Sequence, residues 1–404
     1  MDMKTTIIKD KIDLAAELIK CGELVAVPTE TVYGLAGNGL NADAVERIYE
    51  VKGRPQVKPL ALMISSSGSM ERYCEPVPEQ AKMLAKRFWP GPLTIVLKAR
   101  DLVPEIVRAG GDTVALRCPD HPLTLELLQK AQLPLAAPSA NPSGEPSPKN
   151  AAKVVEYFDG KISAVIDGGE CGIGTESTII DMSKTPYKIL REAALPEETI
   201  KQALAENLTV LGITGGTGCG KTTALRQLEE LGALIVDCDA VYHGLLESDA
   251  ELLNAIETAF PGSVVDGKLD RKRLGSIVFG SERDLKLLNE ITHRYISLEV
   301  ERRLRDFAMN GGTLAAIDAI ALIESGLAKH CKAVIGIVAE TETRVQRIMK
   351  RDGISHEYAA KRVAAQKPNE FFQKSCDYVL HNDTTEQDFA DKCKNLYKEV
   401  LKNG

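Results

Sequence analysis

The stretch GGTGCGKT, from Gly215 to Thr222, matches the phosphate-binding pattern GxxxxGK[ST]. The apolar run LTVLGIT leads into it and the helical pattern KTTALRQLEELG follows, which is the strand–loop–helix context that the pattern requires. In such a loop the backbone N–H groups converge on phosphate oxygens, the lysine reaches the β- and γ-phosphates, and the hydroxyl ligates Mg²⁺. The predicted nucleotide-binding residues are Gly215, Gly216, Thr217, Gly218, Cys219, Gly220, Lys221, Thr222 and Thr223.

Two carboxylates follow the next apolar run, in VDCDAVYH. If this segment is extended, Asp237 and Asp239 lie at positions i and i+2 on one face, and both can point toward the phosphates. One could then accept a proton from an acceptor hydroxyl while the other holds Mg²⁺-bound water. The spacing is equally typical of a strand-end aspartate and a helix-cap aspartate, so the residues alone leave both interpretations open.

The first half of the chain contains no phosphate loop, but it has its own candidate anion site. Lys52, Arg54 and Lys58 place three cations within seven residues, among prolines that restrict the backbone. Small polar side chains occur on the predicted strand ends and loops: Thr29, Thr31, Ser139, Asn141, Ser177 and Thr178. Cations with hydroxyl and amide groups suit a phosphate or carboxylate ligand. An ordinary basic loop with serine-rich turns is the alternative interpretation.

Two different domains must position these residues. The 404 residues exceed the size of a usual single core, and we expect domains at residues 1–206 and 207–404. In the first domain, predicted strands alternate with helices without a regular βαβ order, which favours a twisted mixed α/β sheet. These strands are ELVAVPTET, PLALMIS, PLTIVLKA, DTVALRCP, SAVIDGG and STIIDM. The long stretch from Pro134 to Pro148 is predicted to be a functional loop. In the second domain, strands and helices alternate regularly, which predicts a parallel sheet. The predicted strands are the apolar runs LTVLGIT, ALIVDCD, TLAAID, KAVIGIVA and DYVLHN.

Composition excludes several classes of protein. The net charge is −7, and residues 1–207 carry 24 basic and 28 acidic side chains, so there is no bulk footprint for nucleic acid. The nine cysteines form no CxxC pair that would suggest a zinc site. The N-terminal segment does not have the pattern of a signal peptide, and no stretch approaches the roughly 20 apolar residues that span a bilayer. We therefore expect a cytoplasmic protein without a membrane partner.

The second half resembles dephospho-CoA kinases. The resemblance runs from Leu208 to about Asp383 through GITGGTGCGKTT, VDCDAVYH, DGKLDRKRLGSIVF, ITHRYI, IDAIALIESGL and ETRVQRIMKRDGISHEYAAKRVAAQ. It implies ATP-dependent phosphorylation of the ribose 3′-hydroxyl of dephospho-CoA by a P-loop fold with a helical lid. The implied catalytic residues are Asp239 as base, Lys221 and Arg347, with Arg351 at ATP and Thr222 and Asp237 at Mg²⁺. Departures from the family pattern occur at Arg294, Ser297 and Ile320, which bear on the contacts with CoA.

The first half resembles the threonylcarbamoyl-AMP synthase family, which has the YrdC-like fold. The resemblance runs from Ile12 to Leu195 through PTETVYGL, KGRPQVKPL, SANPSG, STIID and LR. It implies condensation of L-threonine, bicarbonate and ATP, with release of pyrophosphate. Other proteins would then pass the threonylcarbamoyl group to tRNA, so no direct binding of nucleic acid is expected.

This second resemblance also implies roles for individual residues. Lys52, Arg54 and Lys58 would face phosphates and carboxylate, and Ser139 and Asn141 would contact the nucleotide. The implied residues at the threonine end are Thr31, Tyr33 and Ser177, with further charge from Arg117 and Arg191. The sequence thus predicts a bifunctional enzyme that uses ATP and Mg²⁺. Two alternatives are an RNA-binding module in the first half and a regulatory ATPase in the second.

Overall fold

The structure, a computed structural model, describes residues 4–402. The chain divides into two compact units, one formed by the residues to Leu204 with Met309–Gly311, and the other by Ala205–Ala308 with the residues from Gly312 onward. Each unit is built on its own sheet, and the break along the chain falls within one helix, Glu197–Glu206. Among residues 4–402, no helix combines the length and the apolar character needed to cross a membrane.

The first unit contains a ten-stranded sheet. Its strands are β1 (Thr6–Ile8), β2 (Val25–Val27), β3 (Gly34–Asn38), β4 (Ala61–Met63), β5 (Leu93–Lys98), β6 (Thr113–Arg117), β7 (Leu135–Ala136), β8 (Ala164–Ile166), β9 (Thr178–Asp181) and β10 (Lys188–Arg191). The helices are α1 (Ile12–Lys20), α2 (Ala42–Lys52), α3 (Met70–Tyr73), α4 (Glu79–Phe88), α5 (Pro122–Ala131), α6 (Ala151–Phe158) and α7 (Glu197–Glu206).

The order of the strands, β1-β8-β2-β3-β7-β4-β6-β5-β9-β10, combines parallel and antiparallel neighbours. For example, β5 pairs in parallel with β9 and antiparallel with β6. This confirms the predicted mixed sheet. Strands β1, β3, β7 and β10 were not predicted, and β7 occupies the start of the stretch from Pro134 to Pro148 that was predicted to be a loop.

Helix α2 explains how one cation of the first unit comes to be buried. The Asn41 side chain caps the helix by accepting from the N–H groups of Asp43 and Ala44, and Gly53, with φ 58°, ends it. Val45, Ile48, Tyr49 and Lys52 are buried at helical spacing. Lys52 therefore continues the apolar face of the helix into the interior.

The second unit contains a five-stranded sheet in the order β12-β15-β11-β16-β17, with every neighbouring pair parallel. Its strands are β11 (Thr209–Thr214), β12 (Leu234–Asp237), β15 (Leu314–Asp318), β16 (Ala333–Val338) and β17 (Tyr378–His381), beside a hairpin of β13 (Val264–Val265) and β14 (Lys268–Leu269). The helices are α8 (Lys221–Glu229), α9 (Cys238–Ser248), α10 (Ala250–Ala259), α11 (Arg271–Val278), α12 (Glu282–Met309), α13 (Thr341–Asp352), α14 (His356–Ala364), α15 (Asn369–Ser375) and α16 (Glu386–Lys402).

Both faces of this sheet are buried. Along β15, Leu314 and Ala316 pack into one apolar cluster, while Ala315 and Ile317 pack into the other. Strands buried on both faces are apolar throughout, which is why the predicted runs correspond to the observed strands. The parallel α/β fold that was predicted for this half is confirmed.

Candidate functional sites

The first unit contains a cavity of about 370 Å³ beside the central strands of its sheet. Six of the residues predicted from the sequence line it: Tyr33, Arg54, Arg117, Ser139, Ser177 and Arg191. Glu176 and Thr94 also line it and were not predicted. The cavity therefore gathers three guanidinium groups from segments that are far apart in the sequence.

Each of these arginines is held by the protein. Arg54 donates to the carbonyl oxygens of Lys58 at 3.3 Å and Pro59 at 3.0 Å. Arg191 donates to the Ser177 carbonyl at 3.0 Å and forms an ion pair with Glu176. Because their orientation is already fixed, less conformational entropy is lost when an anion binds.

Arg117 is the most deeply buried of the three. Its Nη2 donates to Glu30 Oε1 at 2.7 Å and to Thr31 Oγ1 at 2.9 Å, and the two ionised side chains are only 8% and 12% exposed. Thr29 Oγ1 donates to the Val32 carbonyl at 2.6 Å, so the 2.9 Å bond between the two threonine hydroxyls has Thr31 as donor. The buried Thr31 hydroxyl thus supports Arg117, and it does not line the cavity.

Lys52 is 3% exposed, and its ammonium group donates to the carbonyl oxygens of Ser139 and Asn141. Burial lowers the pKa of Lys52 to about 8, and the nearby positive charge of Arg54 acts in the same direction. Its side chain therefore shapes the loop that carries the predicted nucleotide contacts. The burial of Lys52 could have been predicted from the sequence, because Lys52 falls on the apolar face of α2.

The loop that Lys52 holds presents an unpaired acceptor. Asn141 is 7% exposed, and its amide nitrogen donates to the Pro142 carbonyl at 3.0 Å. Its Oδ1 is buried and has no hydrogen-bond partner among residues 4–402. A buried acceptor of this kind calls for a partner, which a ligand can supply.

Two other predicted residues, Lys58 and Tyr33, do not place a charged group in the cavity. The Lys58 side chain is exposed and does not line the cavity, whereas its carbonyl oxygen accepts from the Tyr49 hydroxyl at 2.9 Å. Tyr33 is fully buried, and its hydroxyl donates to the Gly169 carbonyl at 2.8 Å and accepts from the Gly168 N–H. Burial raises the pKa of Tyr33 to about 12, so the phenol stays neutral and supports the cavity wall.

In the second unit, the predicted phosphate loop joins β11 to α8. Gly220 precedes α8 with φ 101°, a backbone conformation that favours glycine, and the first N–H groups of the helix have no partner within the helix. Lys221 Nζ donates to the Gly215 carbonyl at 3.1 Å and lies 4.0 Å from Asp318 Oδ1. Thr222 and Thr223 lie in the first turn of α8, where an anion is stabilised by the helix N-terminus.

Helix α13 places Arg347 against this loop. Its guanidinium group donates to the Gly218 carbonyl at 3.4 Å and to the Asn382 carbonyl at 3.1 Å. Asn382 in turn donates to the Cys219 carbonyl at 2.8 Å. Arg351, predicted to be at ATP, forms an ion pair with the adjacent Asp352 at 2.7 Å, and its side chain is 58% exposed.

The two aspartates after the phosphate loop do not share an extended segment, so that part of the prediction is wrong. Asp237 ends β12, and its Oδ1 accepts from the N–H groups of Asp239 at 2.8 Å and Ala240 at 3.0 Å. The chain turns into α9 directly after Asp237, because this cap satisfies the first N–H groups of the helix. Asp239 therefore lies in the first turn of α9.

Asp318, at the end of β15, is a site residue that the sequence prediction missed. It lies opposite Asp237 in the parallel register. Burial raises the pKa of Asp318 to about 6, against the opposing effect of Lys221. Its Oδ1 has no hydrogen-bond partner in the described part of the chain. The available signal was its position at the end of a buried parallel strand, where ligands bind in such sheets.

Asp239 opens onto a cavity of about 200 Å³, which Tyr242, Thr292, His293 and Ile320 also line. Of the three departures from the family pattern, only Ile320 lines this cavity. The Ser297 hydroxyl instead lies 3.4 Å from Glu301 Oε1. Burial lowers the pKa of His293, which favours a neutral imidazole at the cavity wall. The carboxylate of Asp239 thus lies at a cavity whose wall combines apolar and polar side chains.

Two family models match the chain. A model for Sua5, YciO and YrdC proteins, described as telomere recombination, matches residues 17–193. A model for dephospho-CoA kinase matches residues 209–388. The matched ranges do not overlap, and together they include both candidate sites.

Individual relatives agree with these matches. The chain is 52% identical over 196 residues to the threonylcarbamoyl-AMP synthase of Pyrococcus abyssi, which is 48% of this chain but only 58% of that relative. It is 35% identical to a putative threonylcarbamoyl-AMP synthase of Methanocaldococcus jannaschii, over 46% of this chain and 88% of the relative. It is also 34% identical to the dephospho-CoA kinase of Corynebacterium glutamicum, over 47% of this chain and 96% of the relative.

Proposed function

The chain belongs to the Sua5, YciO and YrdC family through residues 17–193 and to the dephospho-CoA kinase family through residues 209–388, and from this we propose that it is a bifunctional enzyme. We assign synthesis of threonylcarbamoyl-AMP to residues 1–206 and 3′-phosphorylation of dephospho-CoA to residues 207–404. The observation that supports the proposal is that the first unit has a cavity lined by three arginines, while the second unit separately has a phosphate-loop sequence at the start of a helix.

The first reaction suits a cavity that binds charge and supplies no nucleophile. The amine of L-threonine forms a C–N bond to the carbon of bicarbonate, and a bicarbonate oxygen leaves as water, which gives a carbamate. A carbamate oxygen then attacks the α-phosphorus of ATP, and the bond to pyrophosphate breaks. Arg54, Arg117 and Arg191 line the cavity and can offset the charge of the phosphates and carboxylates. Asn141 does not line the cavity, but we assign its buried Oδ1, which has no hydrogen-bond partner among residues 4–402, as an acceptor for the nucleotide.

The second reaction uses the phosphate loop for the donor and the cavity at Asp239 for the acceptor. Asp239 accepts the proton of the ribose 3′-hydroxyl, and the hydroxyl oxygen attacks the γ-phosphorus of ATP as ADP leaves. Lys221 and Arg347 offset the charge on the transferring group. Their attachment to the loop carbonyls of Gly215 and Gly218 supports this role, because it fixes both cations beside the phosphates.

The donor groups at this site fit Mg²⁺. Residues 4–402 contain no group of three or more His, Cys, Asp or Glu side chains able to enclose a metal ion. Mg²⁺ does not need such a cage, since it keeps several waters and takes one or two carboxylates together with substrate phosphates. The Thr222 hydroxyl would hold it directly and Asp237 through water. Asp318 lies opposite Asp237 in the sheet, and its Oδ1 has no hydrogen-bond partner in the described part of the chain. When bound, it would neutralise part of the phosphate charge.

The product of the first reaction is a mixed anhydride, which must be passed on before water hydrolyses it. We infer that separate transfer proteins carry the threonylcarbamoyl group to tRNA. We also infer that both reactions take place in the cytoplasm. Support comes from the nine cysteines, all of which are unpaired, as is usual in a reducing compartment.

A paired assay on the intact chain tests the proposal. We expect pyrophosphate release that requires both threonine and bicarbonate, and CoA formation that requires ATP and dephospho-CoA. Tight binding of structured RNA without threonine-dependent pyrophosphate release would instead support an RNA-binding first unit. ATP hydrolysis without CoA formation, accompanied by a change in pyrophosphate release, would support a regulatory ATPase.

A further inference from the structure

One side chain outside the phosphate-loop motif makes two hydrogen bonds to a single residue of that loop. Gln366 follows α14, and its Oε1 accepts from the N–H of Thr217 at 2.8 Å. Its Nε2 donates to Thr217 Oγ1 at 2.7 Å. The two residues are 149 positions apart in the sequence. A side-chain amide thus holds both the backbone and the hydroxyl of Thr217.

Arg344, on α13, completes the arrangement. Its Nη2 donates to Gln366 Oε1 at 2.7 Å, and its Nε donates to the Thr217 carbonyl at 3.0 Å. The side chain is buried, since Arg344 is 3% exposed. All three polar groups of Thr217 are therefore engaged by two side chains, and one of these is charged, which strengthens its hydrogen bonds.

The neighbouring glycine is matched to this pair. A Cβ atom at Gly216 would collide with the guanidinium group of Arg344 and would lie 2.9 Å from Gln366 Oε1. Gly216 and Gln366 also line a cavity of about 410 Å³ together with Ile320 and Phe372. The glycine thus admits the two side chains that hold the next residue of the loop.

We propose that Gln366 is a positioning residue for nucleotide binding, which fixes Thr217 and thereby the phosphate loop. The inference rests on the proposed kinase activity of this unit. A glycine-rich loop loses much conformational entropy when it is ordered. The hydrogen bonds to Thr217 offset this entropy loss before the ligand binds. The N-terminus of α8 is then already oriented toward the phosphates.

The test replaces Gln366 by leucine in the intact chain and measures the Kd for ATP and the KM values for both kinase substrates. Loss of the hydrogen bonds is expected to raise the Kd and KM for ATP about tenfold to a hundredfold. The KM for dephospho-CoA should stay within about twofold. The matched control is Gln346→Leu, because Gln346 is exposed on α13 and its Nε2 donates to Glu342, at 2.6 Å, on the same helix. This variant should bind ATP as the wild type does.

A second variant distinguishes the effect of losing the hydrogen bonds to Thr217 from a general loss of stability. Thr217→Val removes the hydroxyl bond alone and should weaken ATP binding less than Gln366→Leu does. The double variant should be no weaker than Gln366→Leu, since both changes break the same contact. Wild-type ATP affinity in Gln366→Leu would overturn the proposal, and so would an equal loss of affinity for both substrates together with a lower unfolding temperature. If the wild type binds ATP but forms no CoA, the kinase assignment is wrong. The role of Gln366 is then still tested by comparing the Kd for ATP of the wild type with that of Gln366→Leu.

Discussion

The cavity of the first unit presents side-chain cations to its ligand, whereas the phosphate loop of the second unit presents backbone N–H groups. In the cavity, Arg54, Arg117 and Arg191 come from separate segments and are each held by carbonyl or carboxylate oxygens. In the loop, consecutive residues between β11 and α8 are the proposed phosphate contacts. The proposed function thus uses two different ways of binding phosphates in one chain.

The difference lies in what must be kept in place. A guanidinium group binds through its own charge, so the first unit must offset the cost of partly burying several cations. A backbone loop binds through its conformation, so the second unit must hold a flexible segment in one shape. We therefore expect the first site to lose most activity when an arginine loses its charge. The second site should lose most activity when the loop loses its lysine or a side chain that restrains its conformation.

The largest expected effect is that of Lys221→Met. The change removes the one loop side chain that reaches toward both the Gly215 carbonyl and Asp318. CoA formation should fall about 10³-fold, since a preorganised charge at the transferring phosphate is lost. Threonine-dependent pyrophosphate release should be unchanged. The control is Lys286→Met, an exposed lysine on α12. Equal losses in both assays would show that the two sites do not use separate phosphate binders.

Asp239→Asn tests the part of the second site that is proposed to bind the acceptor, dephospho-CoA. Without a carboxylate to take the ribose proton, the kcat for CoA formation should fall about 10²-fold with little change in the KM for ATP. The matched control is Asp249→Asn, because Asp249 also lies at a helix start and Asn caps equally well. A wild-type kcat in Asp239→Asn would mean that another group, with Asp318 the nearest candidate, accepts the proton.

Arg54→Met and Lys58→Ala compare two cations that are four residues apart. Arg54 lines the cavity and the Lys58 side chain does not. The first change should raise the KM for ATP in the pyrophosphate assay about tenfold, and the second should change it by about twofold or less. Equal effects would mean that the segment carrying Lys58 closes over the bound nucleotide.

The smallest effect concerns the buried cation Lys52 and appears as a dependence on pH. Its pKa is about 8 in the folded chain, against an ordinary value of 10.5. Between these values the folded chain binds fewer protons at this site than the unfolded chain, so stability rises with pH. The unfolding temperature of the wild type should therefore rise relative to that of Lys52→Met across this window. A constant difference between the two proteins would contradict the lowered pKa.

The second site was easier to predict from the sequence because its chemistry is local. Nine consecutive residues and the flanking apolar runs define the loop, and the structure shows the expected strand and helix on either side. Asp239 was placed wrongly in an extended segment because the cap formed by Asp237 starts a helix at the next residue. Gln366 is the last residue of the motif ETRVQRIMKRDGISHEYAAKRVAAQ, but no role was predicted for it, because nothing in that motif indicates contact with a loop 149 residues away.

The first site could be predicted only as a collection of polar residues. The family resemblance assigned Arg54, Arg117 and Arg191 to this site, but it could not predict which side chains face the cavity. Lys52 turns inward with the apolar face of α2, and Thr31 supports Arg117 from behind. β3 escaped prediction because its sequence, GLAGN, is poor in residues that favour strands, and tertiary pairing with β2 and β7 stabilises it.

The position of β11 in its sheet has a consequence for the synthesis of the chain. β11 begins at Thr209, but its neighbours are β15, which starts at Leu314, and β16, which starts at Ala333. A ribosome needs roughly 5–20 s to add the intervening hundred or so residues. Throughout that interval the nascent chain already carries the complete GGTGCGKT sequence without either strand that flanks β11. The ability to bind nucleotide is thus among the last properties that this half of the protein gains as it is made.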